Sequence, residues 1–385
     1  MASVMDAPRA GGFLRPRRHA FWLYLIVLAL GGSSIGGSLA RRASEAPTGA
    51  FLLEIALYTL WLAPALWFIH RLDLFECEPL SLAAAAFVWG GLVATGLALT
   101  ANTASLSFLA KVDPTFASAW GPAVAGPTTE ETLKMMGVIV IVLINRNQFD
   151  RVLDGFVYGA LVGLGFQFVE DMLYGLAAAA QTGESWVSAV VINFVLRGLV
   201  NGLWTHAAWT AIAGAGVACF VTRRELSRWK RVTVATCLFL VAWFLHFLNN
   251  SPLFPMLFGQ ESGLLTIAQV IFNGLVTLSV GVAIYRRAVK LEYGWFAEVV
   301  RDDIGNALIS EAEVAELATN GSRRRAVRRA AIRGGRRAAR LQRQLQQAQI
   351  AYGVAKARRR ESAVIEERQL IEEIKKEIRE FGRRG

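Results

Sequence analysis

The chain has 385 residues, 54% of them hydrophobic, and a mean hydropathy of +0.39. Apolar runs of the ~20 residues that cross a bilayer recur along it, which excludes an ordinary soluble globular domain. The formal charge of +11 is uneven: residues 286–385 hold 24 Lys and Arg against 14 Asp and Glu, so residues 1–285 are nearly neutral.

Eight apolar stretches follow in chain order: 21–40, 49–69, 81–101, 129–144, 153–180, 190–221, 232–247 and 264–285. Continuous runs rather than alternation select helices, and bare backbone in lipid is too costly for anything but helices or a closed barrel. The expected fold is therefore all-α, a polytopic membrane bundle of about 8 transmembrane helices with a basic helical tail. The first stretch ends in Ser38-Leu39-Ala40, a small-residue pattern that also suits signal-peptide cleavage. The fourth is short, and its helix is expected to begin at Thr128. The sixth is too long for one span and carries Arg197 and Asn201. It reads as an interfacial helix around 186–200 followed by a span near 203–222. Three cysteines, Cys77, Cys219 and Cys237, are an odd number and argue against a disulfide framework.

Sidedness follows from Lys and Arg in short loops. Loop 222–231 carries Arg223, Arg224, Arg228, Lys230 and Arg231, whereas loops 181–189 and 250–263 carry neither residue type. Both termini and loop 222–231 are thus expected in the cytoplasm, with the chain in the inner membrane. Arg41 and Arg42 dissent, because they fall outside. The expected division is a cytoplasmic segment 1–20, a membrane domain 21–285 and a basic cytoplasmic tail 286–385. The tail is Arg/Ala-rich over 322–343, breaks at Gly334-Gly335 and returns to helical spacing over 361–381. It is expected to be helical or partly disordered and to sit against anionic lipid heads. No base-reading motif accompanies the charge, so no nucleic acid is expected.

Ionisable residues inside membrane spans are costly and point to function. The fourth stretch opens with Glu130, Glu131 and Lys134, the fifth carries Glu170 and Asp171, the sixth His206, and the seventh ends with His246 and Asn250. Glu170 lies about 25 Å along from Leu153, and His246 about 21 Å from Val232, at 1.5 Å per residue. Glu130, Glu131 and His206 sit near the outer ends of their spans, so all fall in the outer half of the membrane. Lys134 is i+4 from Glu130 and i+3 from Glu131, so one ammonium reaches either carboxylate. Each residue has a plainer reading. Thr128-x-x-Glu131 is a capping-box pattern, Glu170 could serve Arg197, and either histidine could be an interhelical hydrogen bonder. Asp154 reads as a helix cap, while Glu54 and Asn273 have no assignment.

Glu-Glu-x-x-Lys at 130–134, Asp154-Gly155 to Tyr158-Gly159, Gly165-Phe166-x-x-x-Glu170 with Tyr174, then His206 and His246, resemble the PrsW family over about residues 80–285. Those are bacterial membrane proteases named for site-1 cleavage of the RsiW anti-sigma factor. The family is similar to the CAAX-processing Abi proteases. Two departures stand out: Asp171 where the pattern usually has Asn, and Phe-x-x-x-Glu where the Abi proteases have Phe-x-x-x-His. The resemblance implies an intramembrane peptidase acting on a membrane protein or peptide. In that reading Glu130 is the general base, Glu131 and Lys134 set its charge and position, and Glu170 and His206 hold a water or a metal. His246 and Asn250 then support the oxyanion or the metal. Two mechanisms stand side by side. In one, Zn²⁺ is held by Glu170, His206 and His246. In the other, a glutamate activates water without metal. The rival classes are a transporter or lipid-handling protein that uses the polar cluster as a substrate or proton path, and an inactive membrane scaffold.

Overall fold

The computed structural model describes residues 12–73, 78–259, 263–305, 308–357 and 359–384. Cys77 and residues 1–11 of the N-terminal segment lie outside them. The chain is helical throughout, and no β-strand occurs among the described residues. It divides into two compact units, one of residues 1–72 and 78–285, the other of residues 73–77 and 286–385.

The first unit runs α1 His19–Glu45, α2 Thr48–Leu72, α3 Leu80–Val88, α4 Thr95–Val112, α5 Pro114–Ile144, α6 Val152–Thr182, α7 Trp186–Asn193, α8 His206–Thr222, α9 Arg228–Asn250 and α10 Leu253–Phe258. It ends within α11, Gly263–Val299. A π-helical turn, Trp89–Ala94, joins α3 to α4 without a break. Among the described residues, six helical stretches are long and apolar enough to cross a membrane: His19–Glu45, Thr48–Leu72, Leu80–Val112, Val152–Val200, Arg228–Asn250 and Ile267–Val299. The chain is thus a multi-pass, all-α membrane bundle. The fourth and sixth apolar stretches of the sequence fall in α5 and α8. Three charged side chains interrupt the apolar run of α5, and α8 has only 17 residues.

α5 starts at Pro114, not at Thr128. Asp113 accepts a hydrogen bond from the Phe116 amide at 3.0 Å, and Pro114 occupies the first turn. A side-chain cap followed by proline is a strong start signal, because proline gives up an amide that had no helical partner anyway. Thr128 is therefore mid-helix and bonds back to the Val124 carbonyl at 2.7 Å, so the capping-box reading of Glu131 falls.

α6 is the buried centre; 89% of its most apolar window lies inside the protein, against 17% for α1 and α9. Lipid gives helices no hydrophobic reason to associate, so close packing of small residues has to hold them. Gly155, Gly159 and Gly163 form that seam with α8. A methyl at Gly159 would come within 2.2 Å of the Thr210 carbonyl oxygen, and one at Gly163 within 2.1 Å of the His206 carbonyl oxygen. On the opposite flank Gly165 lies against the backbone of Phe87 in α3. Asp154 accepts from the Asp150 and Arg151 amides at 2.9 Å each, the cap expected of it.

Between α7 and α8 the helix loosens into a π stretch, Phe194–Val200, and a short turn, Gly202–Trp204, with Gly202 at φ +45°. Backbone at membrane depth must be satisfied internally. The buried Gln167 side chain donates to the Gly202 carbonyl at 3.0 Å and the Arg197 carbonyl at 3.3 Å. The interfacial helix and following span expected over 186–222 correspond to α7 and α8.

The second unit contains α12 Glu311–Leu317, α13 Asn320–Ala357 and α14 Glu361–Arg384. Phe296, Leu317, Leu345 and Ile371 are among the apolar side chains it buries. α13 bends at Gly334 and Gly335, the latter at φ +65°, where the sequence placed a break. Arg337 pairs with Glu377 and Lys375 with Glu313, both at 2.8 Å.

Candidate active site

Four helices deliver one cluster. Glu130, Glu131 and Lys134 come from successive turns of α5, Glu170 from α6, His206 from the first position of α8, and His246 from α9. All are buried except Glu170, which is half-buried. Lys134 Nζ lies 2.6 Å from Glu131 Oε1, 3.7 Å from Glu130 Oε2 and 2.9 Å from His206 Nδ1, above the Phe166 ring at 4.2 Å. One ammonium thus serves both carboxylates of its own helix and an imidazole of another.

Each imidazole is oriented by a carboxylate. His246 Nδ1 is 2.9 Å from Glu131 Oε1, and His206 Nε2 is 3.1 Å from Glu170 Oε2. An ionised carboxylate only accepts, so those nitrogens donate, and the opposite nitrogens keep lone pairs. Those two nitrogens lie near each other and are already engaged: His206 Nδ1 accepts from the Lys134 ammonium at 2.9 Å and His246 Nε2 from the Asn250 amide at 3.2 Å. Glu130 Oε2 is 4.0 Å from His206 Nδ1 and 3.9 Å from His246 Nε2. Glu130 Oε1 accepts from Asn102 at 3.0 Å, while Oε2 is buried with no hydrogen-bond partner. Asn250 Nδ2 stands 3.2 Å from His246 Nε2, and Trp209 stacks on the His246 ring at 4.3 Å between centroids.

These groups open on a cavity of about 380 Å³ that Glu130, Glu170, His206, His246, Asn249 and Asn250 help to line. All seven residues singled out in the sequence meet in this one neighbourhood. Glu130, rather than Glu170, completes a set with His206 and His246 whose ligand atoms lie within 4.8 Å of one another. Glu170 stands one step back. It binds the far nitrogen of His206 and, at 2.6 Å, Arg197 Nη2. Arg197 Nε meets Asp171 Oδ1 at 2.6 Å, and its guanidinium stacks on Tyr174 at 4.1 Å. The Arg197–Glu170 pair weighed in the sequence therefore exists beside the histidine contact. Asn102, Gln167 and Trp209 went unread in the sequence. Asn102 lies one position beyond the end of its apolar stretch, and buried amides and indoles carry no spacing signal.

Glu130, His206 and His246 fit a divalent cation. One ligand atom from each lies within 4.8 Å of the others, Glu130 Oε2 has no hydrogen-bond partner, and a cation would take the places that the Lys134 and Asn250 donors hold on the two rings. Among the described residues Lys134 and Arg197 are the Lys and Arg partners in ion pairs with Glu130, Glu131, Glu170 and Asp171, which leaves two negative charges in this group when all are ionised. Two histidines and a glutamate are a donor set used by catalytic zinc, and each imidazole already has the carboxylate partner that such ligands usually keep.

Fold and cluster together define a multi-pass helical membrane protein with a buried acid–imidazole centre. Residues 78–282, just over half of the chain, match the PrsW family of intramembrane metalloproteases, and the chain belongs to that family. Protease PrsW of Geobacillus kaustophilus (strain HTA426) is 25% identical over 145 residues, 38% of this chain and 62% of that protein. The match thus spans less than two thirds of the relative's length. No solved structure matches.

Proposed function

We propose that this protein is an intramembrane peptidase that hydrolyses a peptide bond of a membrane-associated protein, with the cluster around Glu130 as its catalytic centre. The observation that carries the reading is the buried Glu130 Oε2, which has no hydrogen-bond partner and lies 4.0 and 3.9 Å from ring nitrogens of two histidines at the wall of a cavity. Loop charge supports placement in the inner membrane with both termini in the cytoplasm.

The chain's own residues divide the work. In a metal-free site Glu130 Oε2 takes the proton of the attacking water; with a metal it would be a ligand instead, and in either case Asn102 holds the other oxygen in place. Lys134 compensates Glu130 and Glu131 where water cannot. Glu131 and Glu170 fix the tautomers of His246 and His206. Asn250 offers amide hydrogens to the developing oxyanion. Glu130, His206 and His246 are the residues that would hold a metal, which would supply Lewis acidity to the scissile carbonyl.

Comparison of membrane proteomes between cells carrying the wild type and Glu130→Gln tests the proposal. Single-pass proteins should accumulate uncut in the variant. A general base contributes about 10²–10⁴-fold, so cleavage of such a substrate by purified Glu130→Gln should fall by at least about 10²-fold at normal protein levels. Unchanged cleavage by that variant and by His246→Ala would end the assignment.

A further inference from the structure

Two arginines line the cavity that opens on Glu130. Arg197 is engaged by Glu170 and Asp171. Arg42, in the last turn of α1, is not: its Nε is buried without a hydrogen-bond partner, and no ion pair to it occurs among the described residues. It is one of the two arginines that dissent from the loop-charge pattern. Arg41 beside it is exposed and suited to phospholipid heads, whereas Arg42 is half-buried and turned to the cavity. A guanidinium partly out of water without a counter-charge is costly to keep. Its planar fork of donors matches a carboxylate.

The cavity wall carries both signs of charge. Glu130 and Glu170 repel an acidic substrate side chain, whereas Arg42 is a cation that no acidic side chain among the described residues engages. We propose that Arg42 takes the carboxylate of an acidic side chain in the polypeptide substrate, at one fixed position beside the scissile bond. This deepens the peptidase reading and rests on it. The contact selects acidic residues there, and repulsion at the cluster keeps them from binding in a shifted register.

The test uses the full-length protein in detergent with a mixture of defined-sequence peptides, cleavage being read by mass spectrometry. The wild type should cleave peptides with Asp or Glu at one position about tenfold better in kcat/KM than their Gln counterparts, as one charge-assisted contact gives. Arg42→Gln should bring that ratio to about one, and Arg42→Glu should invert it in favour of Lys. A ratio unchanged in both variants, or no acidic preference in the wild type, overturns the assignment. So does an effect of Arg42→Glu that appears only in phosphatidylglycerol vesicles and falls equally on all peptides, which would give Arg42 to lipid. A wild type that cuts no peptide at all counts instead against the peptidase reading.

Discussion

Arg197 shows how one side chain keeps the acids of this site compatible with each other. It faces Glu170 and Asp171 at 2.6 Å each, and Glu170 in turn orients His206. Removing one partner of a buried pair costs about 3–5 kcal/mol, because it strands the other charge. Arg197→Met should therefore lower the melting point in detergent steeply. Asp171→Asn should cost only ~1 kcal/mol, the worth of one hydrogen bond, since Glu170 still pairs the guanidinium. Glu131 gives a second outcome at this scale. Glu131→Gln takes the ionised acceptor from His246 Nδ1, and loss of such a partner weakens metal affinity about 10–100-fold. Competition with a chromogenic chelator measures it. The cluster was legible in the sequence because ionisable residues are rare in apolar runs, so Glu130, Lys134 and His246 stand out one by one. Which carboxylate does which task was not legible. Spacing places Glu130 and Glu170 at one depth but does not say that Arg197 holds Glu170 one step back from the imidazole lone pairs.

Among the helices, the α6–α8 seam fixes the distance between Glu170 and His206. Gly163 meets the backbone of His206 itself, so a single methyl there pushes α8 outward at the turn that carries this imidazole. Gly163→Ala should lower cleavage more than Gly281→Ala, a glycine of α11 whose added methyl meets nothing within 4 Å. Equal activities of the two variants would show that the seam does not set the site. The glycines at 155 and 159 were visible as parts of a family pattern; their packing role needed the facing helix. The start of α5 was misread for a different reason. Hydropathy marks where a helix turns apolar, and the stretch from Asp113 to Thr128 is mixed. The capping signal Asp113-Pro114 was present but lay outside the apolar window.

For the whole molecule, the family match ends at residue 282 and every residue lining the cavity belongs to the first compact unit. The second unit carries most of the net positive charge. Its arginines at 324, 325 and 328 suit an anionic bilayer surface, where each contributes about 1 kcal/mol. Replacing these three with Gln should weaken vesicle binding of the isolated 300–385 segment and leave peptide cleavage by the full chain unchanged. Cleavage that falls in step with vesicle binding would join the two units functionally. The fold class and most helix positions were legible from hydropathy alone. The bend of α13 was legible too, because two adjacent glycines interrupt an otherwise continuous helical pattern.

The glycine seam of α6 has a consequence for traffic. Where two backbones touch, neither can slide or tilt without collision, so the α6–α8 side is a fixed wall. The same close approach pins α1 to α4, where a methyl at Gly96 would come within 2.3 Å of the Gly31 carbonyl oxygen, so any widening of the cavity falls to helices outside both seams.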